Sequence, residues 1–212
     1  MEDNELLNIW KSYDLKLADT LQVNRELTAE VMKIKAGSFL SGMQPVKIFT
    51  ITIGIIWVGF LDVILFNIWS YASPFFLVSA GLQVLLTKLA IGIYCYQMIL
   101  INQAKLSESV FEAQEKIARL KTSTLLVSRL LFLQLPLWTI FYWNSSMLEN
   151  GNIWLYILQI TITGLFTFAA VWLFVNVKYE NRDKKWFILL FSGSEWKPLF
   201  KAMDVLRQVE KG

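Results

Sequence analysis

The sequence predicts an all-α integral membrane protein: a four-helix transmembrane bundle, both termini inside, with amphipathic helices on the cytoplasmic side. Three observations predict it. Of the 212 residues 55% are hydrophobic and the mean hydropathy is +0.46, far more apolar than an ordinary soluble domain. The apolar residues fall in long blocks, whereas a soluble core would scatter them at helix or strand period. Lysine and arginine gather in alternate connections between the blocks, as they do on the cytoplasmic side of a membrane.

The first 47 residues form a polar arm. From Met1 to Ile34 charged and apolar residues alternate, without the basic start, apolar centre and small-residue cleavage site of a signal peptide. The first membrane helix is therefore expected to act as its own insertion signal. Leu6, Trp10, Tyr13 and Leu17 make one apolar stripe; Leu27, Val31 and Ile34 make a second, with Asn24 between them as an expected helix cap.

Four stretches are long enough to cross a hydrocarbon core, which takes roughly 20 apolar residues. They run from about Ile48 to Ser70, Phe75 to Ile101, Ser123 to Trp143 and Ile153 to Val177. Aromatic clusters flank the two short loops and read as one interfacial belt. The connections carry six basic residues in 1–47, none in 71–74, four in 102–122, none in 144–152 and eight in 178–212. The remaining two of the 20, Lys88 and Arg129, lie inside spans. The termini and the middle connection are thus expected in the cytoplasm.

In the middle connection, Ser109 followed by Glu112 is a capping-box pattern that starts a helix. It is expected to run unbroken into the third span as one helix of roughly 35 residues, reaching about 20 Å into the cytoplasm. The turn before it falls near Leu106 to Glu108, and Pro136 predicts a kink near the outer end. Leu106, Val110, Ala113, Ile117 and Leu120 repeat at helical spacing, so the cytoplasmic helices can pack on one another. After the fourth span come the charged run Lys178 to Lys185, an apolar patch from Trp186 to Phe191 too short to span, and a final helix with Leu199, Met203 and Leu206 on one face. The domain reading is a cytoplasmic arm over 1–47, a transmembrane domain over 48–177 with a helical extension at 103–122, and a cytoplasmic arm over 178–212 with an interfacial helix.

Composition narrows the chemistry. There is no histidine and one cysteine, Cys95, so no internal disulfide, zinc site or imidazole triad can be built. No catalytic residue, metal or cofactor is expected. A net charge of +3, evenly mixed, does not suit nucleic acid. The phosphate-loop, HExxH, nucleophile-elbow and GxxxG patterns are missing.

Asp62, Lys88 and Arg129 are charges inside apolar blocks, which makes them candidates for an intramembrane polar site with Gln83, Thr87, Gln134 and Gln159. The competing expectation is that both cations snorkel to the inner headgroups while Asp62 is a lone structural hydrogen-bonding residue or a lysine partner. Arg182, Lys184 and Lys185 are candidates for contact with lipid headgroups. Leu6, Trp10, Tyr13, Leu17, Val110 and Ile117 are candidates for a partner surface.

The run LLNIWKSYDLKLADTLQVNRELTAEV and the later run KYENRDKKWF resemble an uncharacterised family of small membrane proteins of the Bacteroidetes. That family shares an N-terminal "NIW…YD" helix, four spans and a "D-K-K-W"-like stretch after the last. The resemblance covers most of the chain and implies a membrane-anchored regulator associated with extracytoplasmic-function sigma factors. Function is therefore expected in a non-enzymatic scaffold that binds a cytoplasmic protein or another copy of itself. The alternative is a small carrier or channel subunit using Asp62, Lys88 and Arg129.

Overall fold

The structure is a computed structural model describing residues 2–107, 109–143, 152–191, 193 and 196–211, with the side chains of 2–6, 9 and 208–211 left undescribed. The described residues are mostly helical and hold no strand: α1 (Glu2–Ser41), α2 (Gln44–Ile68), α3 (Pro74–Leu106), α4 (Val110–Phe132), α5 (Leu135–Ile140), α6 (Ile153–Asn176), α7 (Lys185–Phe191) and α8 (Trp196–Lys211), with a 3-10 turn over Tyr179–Asn181. Four helical stretches are long and apolar enough to cross a membrane: α2, α3, α4 with α5, and α6.

Local chemistry sets the boundaries. Pro45 lacks an N–H, so it sits in the first turn of α2, where that donor would be idle. The step before it closes with tight i to i−3 bonds from Gly42 to Phe39 and from Met43 to Leu40, both 3.1 Å. Ser73 caps α3 by accepting from the Phe76 N–H at 3.2 Å. Ser109 caps α4 by accepting from Glu112 at 3.1 Å, the bond its spacing predicts. Asn152 caps α6 through the Trp154 N–H at 3.0 Å.

The helix capped by Ser109 runs unbroken into the third span, as expected, and the kink expected at Pro136 takes the form of a short break. The helix stops at Phe132, steps through Leu133 and Gln134, and resumes as α5. Proline 136 cannot donate to the carbonyl four residues earlier, which is that of Phe132, so the ladder ends there. Conversely, Asn24 caps nothing, because α1 passes through it without a break. A short polar side chain that can cap a helix can also sit on an exposed face of one, and spacing alone does not separate the two.

Packing is concentrated at one end. Ala36 and Leu40 of α1, Ile101 and Ala104 of α3, Ile117 and Leu120 of α4, and Leu199 and Leu206 of α8 close into the largest buried cluster. The N-terminal arm, the middle connection and the C-terminal arm therefore share the end that carries the basic residues. The short α7 brings Phe187 and Phe191 against Trp196, Leu125 and Val177 in a second, aromatic cluster. At the opposite end Phe75 meets Trp143 and Phe76 meets Phe141, at ring separations of 5.9 and 4.3 Å.

The four spans form an open row. Extensive packing joins α2 to α3, α3 to α4 and α5, and these two to α6; among the described residues none of comparable extent returns from α6 to α2. In the most apolar window of α2 and of α6 only 6% is buried, against 28% for α3 and 33% for α4, so the outer helices present most of their surface outward. At Gly54 an added Cβ would lie 3.1 Å from Ile91 of α3, so α2 and α3 approach closely there.

Candidate functional site

The seven polar residues singled out inside the spans separate into three places. On α2 and α3, Lys88 Nζ lies 2.9 Å from Asp62 Oδ2 and donates to Oδ1 at 3.2 Å. The pair is formed, but the two side chains are 55% and 46% exposed, so it lies on the outer face of the row and not between helices. An enclosed site would bury the pair, so that expectation is not met; Asp62 is instead the lysine partner that the competing expectation allowed, although Lys88 reaches the acid and not the headgroups. Helix neighbours one turn away, Gly59 and Phe66 around Asp62 and Leu85 and Gly92 around Lys88, are also exposed.

Arg129 takes no part in that pair. Its Nε donates to the Val177 carbonyl at 2.8 Å, at the C-terminal end of α6. A guanidinium there satisfies a carbonyl that the helix leaves unpaired and meets the negative end of the helix dipole.

The glutamines gather around the proline step. Gln134 Nε2 donates to Thr87 Oγ1 at 3.2 Å, and Thr87 donates to the Gln83 carbonyl at 2.8 Å. Gln159 Nε2 donates to the Thr139 carbonyl at 2.7 Å, joining α6 to α5, and buried Ser79 donates to the Leu137 carbonyl. Helix partners thus supply the bonds of a disturbed stretch, as polar side chains do between helices in lipid. Gln83 is buried there.

Sequence reading missed a buried lysine. Lys47 has no exposed surface, its Nζ donates to Gln97 Oε1 at 2.5 Å, and it stands 4.7 Å over the Tyr94 ring. Next to it Gln44 donates to Asn102 at 2.8 Å and accepts from Lys105 at 3.2 Å. Lys47 directly precedes the first apolar block, where it counts as one more topology marker. The available signal was on α3, whose Tyr94, Gln97 and Ile101 share one helical face at spacings of three and four.

Outside the spans, the predicted partner surface divides. Ile117 is buried in the main cluster and Val110 packs against it, so neither is open to a partner. They meet Ala36 and Leu40 of α1 and Leu199 and Leu206 of α8 in that cluster. On α1, by contrast, Trp10 is 75% exposed, and Tyr13 and Leu17 are exposed with it; the Leu6 side chain lies outside the described residues. Of the three headgroup candidates, Arg182 stands 4.5 Å over the Tyr179 ring, which Lys121 also approaches at 4.3 Å, while Lys184 and Lys185 are exposed. The Cys95 thiol is free and exposed on α3. No group of three or more histidine, cysteine, aspartate or glutamate side chains among the described residues is placed to hold a metal ion.

Fold and site define the chain's class as an all-α protein whose four apolar helices are compatible with a multi-pass membrane protein. Comparison with models of known protein families, with curated proteins and with solved structures finds no match.

Proposed function

We propose that the chain is a non-enzymatic regulator or scaffold of a bacterial inner membrane, with both termini cytoplasmic, whose α1 helix docks a protein partner. One observation carries this reading. The stripes of α4 and α8 are used in the protein's own packing, whereas on α1 Trp10, Tyr13, Leu17, Leu27, Val31 and Ile34 remain exposed in one long row. A row of large apolar side chains on a helix outside the membrane marks an interaction surface. Contact with membrane lipid follows from the outward faces of α2 and α6. The resemblance to the Bacteroidetes family supports a regulatory setting, with a soluble protein such as an extracytoplasmic-function sigma factor in the same system.

The carrier reading needs Asp62, Lys88 and Arg129 along one path. Arg129 is engaged by Val177, and the other two face outward, which supports the scaffold reading instead. Photo-crosslinking in cells tests it. A photoreactive residue at Trp10 or Tyr13 is expected to give protein adducts, and one at the buried Leu199 only adducts within the chain. Lipid adducts alone at position 10 would overturn the proposal.

A further inference from the structure

We infer that the occupant of the α1 stripe is a second copy of this chain, aligned in parallel as a two-stranded coiled coil registered by Asn24. This rests on the reading of α1 as a docking helix and names its partner. Because α1 is one uninterrupted helix, the two stripes that Asn24 seemed to separate fuse into one. From Leu6 to Ile34 the seam positions follow spacings of four and three without exception. In heptad terms Trp10, Leu17, Asn24 and Val31 fall at a; Tyr13, Thr20, Leu27 and Ile34 fall at d. That is four heptads, about 43 Å of helix, and a strict seven-residue repeat of this length suits a left-handed supercoil better than a straight neighbour.

The protein's own packing leaves the seam free. The residues by which α1 joins the main cluster, Ala36 and Leu40, occupy f and c positions, on the opposite side of the helix. At the seam itself Trp10, Tyr13, Leu17, Leu27, Val31 and Ile34 are exposed.

Three features select a second copy in parallel. Two copies in one membrane leave it through the same α1–α2 step, so their α1 helices point the same way. A lone asparagine at an a position pairs best with itself, at the cost of stability, and favours parallel dimers in register. At flanking positions Glu30 at g meets the partner copy's Lys35 at e, and no like charges face each other along the seam. Thr20 at d already donates to its own Lys16 carbonyl at 2.7 Å, so its hydroxyl enters the seam satisfied.

Disulfide trapping in native membranes tests the inference, using the full chain with Cys95→Ser. Leu27→Cys at d is expected to give a disulfide-linked dimer at least about fivefold more abundant than Gln22→Cys at f. Adding Leu17→Glu should abolish that dimer while leaving the thermal midpoint of the solubilised chain unchanged, because Leu17 touches none of the core. Asn24→Val should retain the crosslink and add trimers or tetramers. Equal trapping at 22 and 27, or none at either, overturns the second copy. If photo-adducts at Trp10 then have the mass of a different protein, the docking reading stands without the dimer; if no protein adduct forms, both fall.

Discussion

Lys47 shows how a single contact can govern a membrane-boundary site. Its ammonium is buried with the Gln97 amide as its hydrogen-bond acceptor. Removing this acceptor takes one partner from a buried charge, whereas removing the charge leaves only a neutral amide. Gln97→Leu is therefore expected to cost about 2–3 kcal/mol of stability, and Lys47→Met added to it should recover most of that. Thermal unfolding in detergent reads both; a mild single variant would show that other groups carry the charge. For Lys88 the geometry changes the expectation. A snorkelling lysine could become methionine at little cost, but this one is bonded to Asp62 on an outward face. Lys88→Met should cost about 2–3 kcal/mol in a bilayer by leaving a carboxylate against lipid. Adding Asp62→Asn should restore the loss, and an unchanged unfolding midpoint for Lys88→Met would return the residue to the snorkelling reading.

At the scale of elements, the start of α4 rests on one hydroxyl. Ser109→Ala is expected to cost about 1 kcal/mol, visible as faster amide exchange in the first turn of α4 and unchanged exchange beyond Leu120. The helix positions, the Ser109 cap and an interruption caused by Pro136 were legible in the sequence, since each depends on residues within one or two turns. The place of the break followed from the Phe132 carbonyl losing its donor, a consequence of Pro136 that spacing already contained. Asn24 was not legible in the same way. It reads equally as a cap or as a polar seam residue until the continuity of α1 decides. Ile117 and Trp10 carried the same apolar signal, and only the presence of α8 over one of them separates a core residue from an exposed one.

For the whole molecule, the main cluster brings both arms and the middle connection to one end. The proposed topology puts that end on the cytoplasmic side, because the basic residues gather there. In a Cys95-free background, cysteines at 20, 115 and 205 should react only with reagent admitted to the cytoplasm, and one at 72 with impermeant reagent from outside. Position 150, the matching outer probe, lies outside the described residues. Outward labelling at 205 would break the four-span topology. Sequence by itself determined the spans, their ends and the sidedness expected of them. Hydrocarbon thickness and the cost of moving charge act on each segment separately, and run length and charge count measure them directly. Tertiary structure alone decided that Lys88 meets Asp62, that Arg129 closes α6, and that Lys47 is buried on Gln97. Those meetings depend on how each helix is rotated about its axis toward its neighbours. The spacing within one helix defines its faces but does not say which of them another helix will cover.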